Sequence, residues 1–181
     1  ADPGVEGTYV PAGSPGGPVS AVPDGPHGAE GTLVTGERSF QLNPVTWEQL
    51  RTTAVTLRGD RPAPVVTRAE VAAFCRANLD DYWWPEFDRV RRRIADRADD
   101  EPVPSPVVEW LMLGPARLWH TVRTGEIVSK SRAGALMTDR WPDLAEAVRD
   151  TLAFRNGQDL PLFTRHVRTA MTFGERISAD L

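Results

Sequence analysis

Residues 116–134 read A-R-L-W-H-T-V-R-T-G-E-I-V-S-K-S-R-A-G, and they predict the end of one helix and the start of the next. The first part is apolar around Arg117, and Gly125 is typical of a helix end because glycine readily adopts the left-handed conformation found there. Ser129 then caps a new helix that begins at Lys130. Since the first N–H groups of a helix are unpaired and its dipole is positive there, Arg117 and Lys130 predict a phosphate-binding site.

The sequence on either side of this stretch predicts further helices. Residues 105–124 are apolar nearly all round, which is typical of a central, buried helix. Before them, Thr67 and Glu70 form a capping box that opens a long helix, and Pro85 should kink or restart it. After them, three more helices are predicted, at residues 129–138, 142–155 and 161–179. The fold class is therefore mainly α, with a five- to six-helix bundle preceded by a short β and loop segment.

The N-terminal part of the chain has a different composition. Short strands are predicted at residues 5–10, 32–34 and 39–42, the last two as a hairpin. Residues 11–31 are rich in Pro, Gly and Ser and predict a loop or linker. Thr46 is predicted to cap a short helix that ends near residue 53. We therefore expect a β and loop segment over residues 1–42 and a helical bundle over residues 43–181.

Composition narrows the class of protein. The 181 residues carry a net charge of −4, which argues against a general nucleic-acid or anionic-membrane surface and is compatible with a cationic ligand. No segment approaches the roughly 18–20 apolar residues that span a bilayer. The single cysteine, Cys75, excludes an internal disulfide and is expected in the core, and with three His it offers no metal-ligand cluster. A cytoplasmic location is the simplest expectation.

The stretch at 116–134 resembles the C-terminal helical domain of bacterial aminoglycoside nucleotidyltransferases, the streptomycin/spectinomycin adenylyltransferase group and its actinobacterial relatives. Residues 43–47 (N-P-V-T-W), 56–59 (T-L-R-G) and 78–83 (N-L-D-D-Y-W) are similar to the same family in the same order. The resemblance covers most of the chain from about Phe40 onward. It implies transfer of AMP from ATP to a hydroxyl of an aminoglycoside or a similar small molecule, a reaction that confers antibiotic resistance.

The resemblance also implies roles for individual residues. Lys130 and Arg117 match the residues that contact the nucleotide phosphates, and Glu6 takes the place of a strand carboxylate that serves as general base. From the residues alone, Arg117 favours a structural ion pair with a carboxylate such as Glu109, because a buried guanidinium needs an anionic partner. Lys130 equally suits a side chain extended into solvent. Without the resemblance, Glu6 is best interpreted as an exposed strand residue.

In one respect the chain departs from the family pattern. The family holds Mg²⁺ on an Asp-x-Asp strand that follows a Gly-Ser turn, and no such pattern precedes Glu6. Asp80 and Asp81 are adjacent and lie on a predicted helix. We therefore expect residues 1–42 to be the remnant of a nucleotidyltransferase domain whose metal-binding part is missing here. The chain alone is not expected to transfer a nucleotide.

Three residues are candidates for one wall of the substrate cleft: Asp81, Trp84 and Glu109. Carboxylates and aromatic rings suit a polyamine sugar. The alternative is that the tryptophan belongs to the core and the acids are solvated, and the family's own substrate-binding acid has no clear match. Two further hypotheses remain open, a non-catalytic helical domain that binds a nucleotide or small molecule, and a bundle that pairs with a separately encoded nucleotidyltransferase domain.

Overall fold

A computed structural model describes residues 6–29 and 31–181. The fold is mainly helical, as predicted, with 59% of the chain in helices and 7% in strands. The chain divides into two compact units, Ala1–Phe74 and Cys75–Leu181. The expected boundary at residue 42 between a nucleotidyltransferase remnant and a helical bundle stays a prediction. Among the described residues, no helix combines the length and apolarity needed to cross a membrane.

The N-terminal unit contains a small antiparallel sheet and one helix. Its strands follow the order β1-β2-β3, with Thr8 opposite His27 and His27 opposite Val34. They are β1 (Gly7–Thr8), β2 (His27–Ala29) and β3 (Thr32–Val34), and helix α1 (Pro44–Thr52) follows them. Val22, Leu42 and Trp47 form a small hydrophobic core in this unit.

Three sequence predictions for this unit are corrected. Residues 39–42 are not a strand, and β3 pairs instead with β2, which lies in the stretch expected to be a loop. Gly31 has a positive φ of 76°, the conformation that a tight turn between β2 and β3 requires. The cap of α1 is Asn43 and not Thr46, because the Asn43 side chain accepts the Thr46 N–H.

Most of the helices belong to the C-terminal unit. Helix α2 (Arg68–Asn78) starts at the predicted capping box, where Glu70 accepts the Thr67 N–H at 2.7 Å, and it crosses the division between the units. A π-helical turn (Leu79–Trp83) separates it from the next helix, as expected near Pro85. The remaining helices are α3 (Trp84–Arg93), α4 (Ser105–Thr124), α5 (Lys130–Arg140), α6 (Ala145–Arg155) and α7 (Thr164–Asp180).

Helix α4 is the centre of the C-terminal unit. It packs against α5, α6 and α7, which explains why its sequence is apolar nearly all round. Its fully buried residues include Val108, Leu111, Met112, Leu113 and Ala116. Each buried leucine contributes about 1.5–3 kcal/mol. The prediction of a central, buried helix at residues 105–124 is confirmed.

A second, two-stranded sheet was not predicted. Strand β4 (Pro102–Val103) pairs with β5 (Leu162–Phe163), so α7 begins at Thr164 and not near residue 161. The strands are two residues long and about sixty residues apart in the chain, so no local periodicity predicts them. This sheet joins the start of α4 to the start of α7.

Candidate functional site

Three helices of the C-terminal unit bring four charged side chains together. Arg117 and Glu109 lie on α4, Lys130 is the first residue of α5, and Arg155 is the last residue of α6. The Glu109 Oε1 atom lies 3.2 Å from Lys130 Nζ and 2.5 Å from Arg155 Nη1. We call these four residues the basic cluster. Two of its cations therefore share a single carboxylate oxygen.

Arg117 is held by the backbone and not by an acid. Its Nε–H donates to the carbonyl of Val128 at 3.0 Å, in the link that precedes α5. Burial lowers the pKa of the half-buried Arg117 guanidinium, repulsion from Arg155 lowers it further, and Cys75 acts weakly in the opposite direction. No carboxylate of residues 6–29 or 31–181 forms an ion pair with Arg117. The ion pair with Glu109 that the sequence allowed is made by Lys130 and Arg155 instead.

Local sequence signals position two sides of the cluster. Helix α4 ends at Gly125, whose φ is 75°, and the Ser129 side chain accepts the Arg132 N–H, as the cap prediction requires. Arg155 reaches the same helix start, where its Nε–H donates to Ser131 Oγ at 3.2 Å. The turn between α4 and α5 is thus placed as the sequence indicated.

The cluster carries an excess of positive charge. The cluster contains three cations and one carboxylate, and the Glu109 side chain is only 16% exposed. A cation that has lost part of its hydration is stabilised by a nearby anion, and a guanidinium cannot neutralise itself by losing a proton at physiological pH. The arrangement is chemically suited to bind an anion with several oxygen atoms. Cys75, near Arg117, is fully buried as predicted, and desolvation raises the pKa of its thiol to about 11.

The structure brings together some of the predicted site residues. Arg117, Lys130 and Glu109 belong to one cluster, but Glu109 already accepts two hydrogen bonds from cations of the chain. Arg155 was not singled out by the sequence, where it is one of several arginines near helix ends. The only local signal is its position before Asn156 and Gly157, where α6 ends.

Asp81 and Trp84 have their contacts elsewhere. Asp81 is exposed on the π-helical turn. The Trp84 indole N–H donates to Asp80 Oδ1 at 3.2 Å, and its ring lies against Phe87 with 5.6 Å between centroids. The hydrogen bond and the ring contact of Trp84 are with neighbours along the chain, and the residue also packs against the main hydrophobic core. A shared substrate wall with Glu109 therefore stays a prediction.

The carboxylates of the described residues do not fit a magnesium site. Glu6 is exposed and lies directly before β1 in the N-terminal unit. Asp80 and Asp81 are adjacent on a helical turn, so their side chains diverge. Among residues 6–29 and 31–181, no three His, Cys, Asp or Glu side chains are grouped so that they could hold a metal ion. No metal-dependent step is assigned to this chain.

Two histidines have structural partners. His166 is buried; its Nδ1 accepts the Phe163 N–H at 3.0 Å, and its Nε2 lies 3.1 Å from Asp150 Oδ2. His120 Nε2 lies 3.4 Å from a carboxylate oxygen of Glu126.

Comparison of the chain with protein-family models, curated proteins and solved structures finds no match. Function is therefore inferred from the chemistry of the basic cluster.

Proposed function

We propose that the C-terminal unit binds the phosphates of a nucleotide, with Arg117 and Lys130 as ligands. The observation that carries this proposal is the half-buried Arg117 guanidinium, which donates its Nε–H to Val128, has no carboxylate partner among the described residues and lies near Arg155. A guanidinium donates two parallel hydrogen bonds to phosphate oxygens, and a lysine adds a compact positive charge. A polyphosphate chain supplies the several negative charges that such a site lacks.

The contacts of Arg117 support this role. Because its Nε–H donates to Val128, the guanidinium is fixed by one edge next to the start of α5. Its two terminal nitrogens make none of the described side-chain contacts, and they are the groups we assign to phosphate oxygens. Lys130 follows the cap of α5, two residues after Val128. The two cations therefore come from consecutive helices joined by one short link.

We further propose that the chain acts as the C-terminal part of a cytoplasmic O-nucleotidyltransferase of the aminoglycoside type. A substrate hydroxyl would attack the α-phosphate of ATP and give its proton to Glu6. A new oxygen–phosphorus bond would form as the bond to pyrophosphate breaks. The sequence resemblance supports this part of the proposal, together with the excess of cations at Arg117 and Lys130. Asp81, Trp84 and Glu109 are the candidates for the wall that faces a cationic substrate.

Isothermal titration calorimetry with ATP and with inorganic triphosphate tests the binding step. We expect Arg117→Gln and Lys130→Ala each to weaken binding about tenfold or more, the value of one charge-assisted hydrogen bond. Arg92→Gln is a matched control, since Arg92 is exposed on α3 and makes none of the described ion pairs. Its affinity should equal that of the unaltered chain.

The same titrations can also refute the proposed phosphate binding. An absence of binding heat with both ligands, or equal affinities for the Lys130→Ala and unaltered chains, would refute the phosphate role. Transfer chemistry is tested separately, by release of pyrophosphate in the presence of an aminoglycoside, Mg²⁺ and a nucleotidyltransferase domain that carries the Asp-x-Asp strand, since the chain alone is not expected to transfer a nucleotide. Binding without release under those conditions would support the alternative of a non-catalytic nucleotide-binding domain.

A further inference from the structure

The most unusual feature of the basic cluster is the way two cations converge on one oxygen. Lys130 and Arg155 both donate to Glu109 Oε1, at 3.2 Å and 2.5 Å. Described hydrogen bonds of Glu109 involve this oxygen and not Oε2. The carboxylate is largely buried between the cations, with a side-chain exposure of 16%, whereas the cations themselves are 28% and 34% exposed. One carboxylate oxygen thus stands where a phosphate oxygen would make the same contacts.

Arg155 has a second anchor that fixes its position. Its Nε–H donates to Ser131 Oγ at 3.2 Å, in the first turn of α5. The arginine is thereby held beside Lys130, whose ammonium group shares its carboxylate oxygen. It is also close enough to Arg117 to lower the pKa of that guanidinium. Arg155 therefore faces both residues that the proposed function assigns to phosphate.

We propose that Arg155 is a third phosphate-binding residue, and that a polyphosphate takes Arg155 and Lys130 over from Glu109. This inference rests on the proposed function, because it concerns the same site. In the free chain, Glu109 is an internal anion that competes with the ligand, and it does so at no cost in translational entropy. A polyphosphate displaces it by engaging Arg117 at the same time. The ligand class is an anion that carries at least two linked phosphates.

The variant Glu109→Gln separates this proposal from a purely structural ion pair between Arg155 and Glu109, because the two predict different changes in triphosphate affinity. If the pair only supports the fold, Glu109→Gln lowers affinity for triphosphate or leaves it unchanged. If Glu109 competes with the ligand, Glu109→Gln raises the affinity because it frees two cations. Glutamine keeps the shape of the side chain and removes its charge. The sign of the change separates the two roles.

The experiment measures inorganic triphosphate affinity by calorimetry in single and double variants. We expect Arg155→Gln to weaken binding about tenfold and Glu109→Gln to strengthen it by a similar factor, each the value of a charge-assisted hydrogen bond. The gain from Glu109→Gln should shrink in the Arg155→Gln background, since the freed cation is then absent. Arg149→Gln and Glu146→Gln are matched controls, both exposed on α6, and should leave the affinity unchanged.

Several outcomes would overturn the inference. Triphosphate binding that depends on Arg117 and Lys130 but not on Arg155 would refute it while leaving the proposed function intact. An absence of binding in both the unaltered chain and Glu109→Gln would refute both. Binding that appears only in Glu109→Gln would contradict the inference, because the polyphosphate would then fail to displace Glu109 in the unaltered chain. If Glu109→Gln fails to fold, Glu109→Asp retracts the carboxylate by one methylene, and an affinity that does not rise there would refute the competition.

Discussion

Two groups of residues in the C-terminal unit each place cationic side chains around one carboxylate, but they differ in how many of its oxygens accept hydrogen bonds. The first is the basic cluster. The second, which we call the Asp180 clamp, consists of Asp180, Trp119, Arg123 and Arg140. In the clamp, the Trp119 indole and Arg123 donate to Oδ2 at 2.9 Å and 2.7 Å, and Arg140 donates to Oδ1 at 3.0 Å. Both oxygens of Asp180 are thus used, whereas Glu109 uses one.

The cations of the two groups differ in solvation. Arg123 and Arg140 of the clamp are 46% and 52% exposed, so water stabilises the charge that Asp180 does not balance. Arg117 of the basic cluster is half-buried, and burial lowers its pKa. A carboxylate whose two oxygens both accept hydrogen bonds from exposed arginines or an indole needs no additional anion beside it. A desolvated guanidinium without a carboxylate is the arrangement that an anion would complete.

The pKa of Asp180 reflects this saturation. Burial raises it, but the hydrogen bonds from Trp119 and Arg140 and the charges of Arg123 and Arg140 outweigh burial. The pKa of the Asp180 carboxyl is therefore held below its ordinary value. The folded state favours the charged carboxylate, which makes the clamp a stabilising contact between α4, α5 and the end of α7.

The largest expected effect on stability comes from removing the centre of the clamp. Asp180→Ala leaves the Trp119 N–H without its acceptor and two arginines without their partner, so we expect a loss of about 2–3 kcal/mol in the free energy of unfolding. Urea denaturation measures it, with the exposed Asp81→Ala as control. Triphosphate affinity should not change. A fall in affinity would show that the clamp and the basic cluster are not independent.

A smaller effect on stability is expected when the pH is lowered. Because the folded pKa of Asp180 is lowered, its contribution to stability is complete above the unfolded carboxyl pKa of about 3.9. That contribution is lost as pH falls through the folded value. Between pH 6 and pH 3, the urea midpoint of the unaltered chain should fall more steeply than that of Asp180→Asn. If the urea midpoints of the two proteins fall in parallel with pH, the lowered pKa of Asp180 is contradicted, since other carboxyls, such as Asp143 and Glu70, titrate equally in both proteins.

The smallest effect on stability is expected at Arg117. Arg117→Met removes a desolvated charge that faces Arg155, and replacing such a charge by an apolar side chain is often neutral or stabilising. We expect unfolding free energy within about 1 kcal/mol of the unaltered chain, together with weaker triphosphate binding. Arg123→Met should cost up to about 1 kcal/mol in the free energy of unfolding and, unlike Arg117→Met, should leave triphosphate binding unchanged. If both variants behave alike, the distinction between cluster and clamp is wrong.

Much of the helical framework was predictable because its signals are local. The α4–α5 link follows from Gly125 and Ser129, each of which acts through its own backbone and near neighbours. The capping box at Thr67 and Glu70 is equally local. The cap of α1 was predicted one turn too late, at Thr46, because Pro44 allows Asn43 to serve instead.

Long-range pairings were not predictable from local patterns. Strand β2 lies in a stretch rich in glycine and proline and is recognisable only beside β3. Strands β4 and β5 are two residues long and join distant parts of the chain. Such strands exist because a partner pairs with their backbone, so their own residues carry little signal.

The amino-acid sequence by itself determined that the chain is mainly helical, that residues 105–124 form a buried helix, and that Arg117 and Lys130 lie on two consecutive helices joined by one short link. Only the tertiary structure decided that Arg155 joins them and that Glu109 pairs with Lys130 and Arg155 and not with Arg117. The physical reason is the range of the interactions. Helix caps and hydrophobic periodicity act within a few residues, whereas the position of Arg155 depends on how α6 packs against α4 and α5.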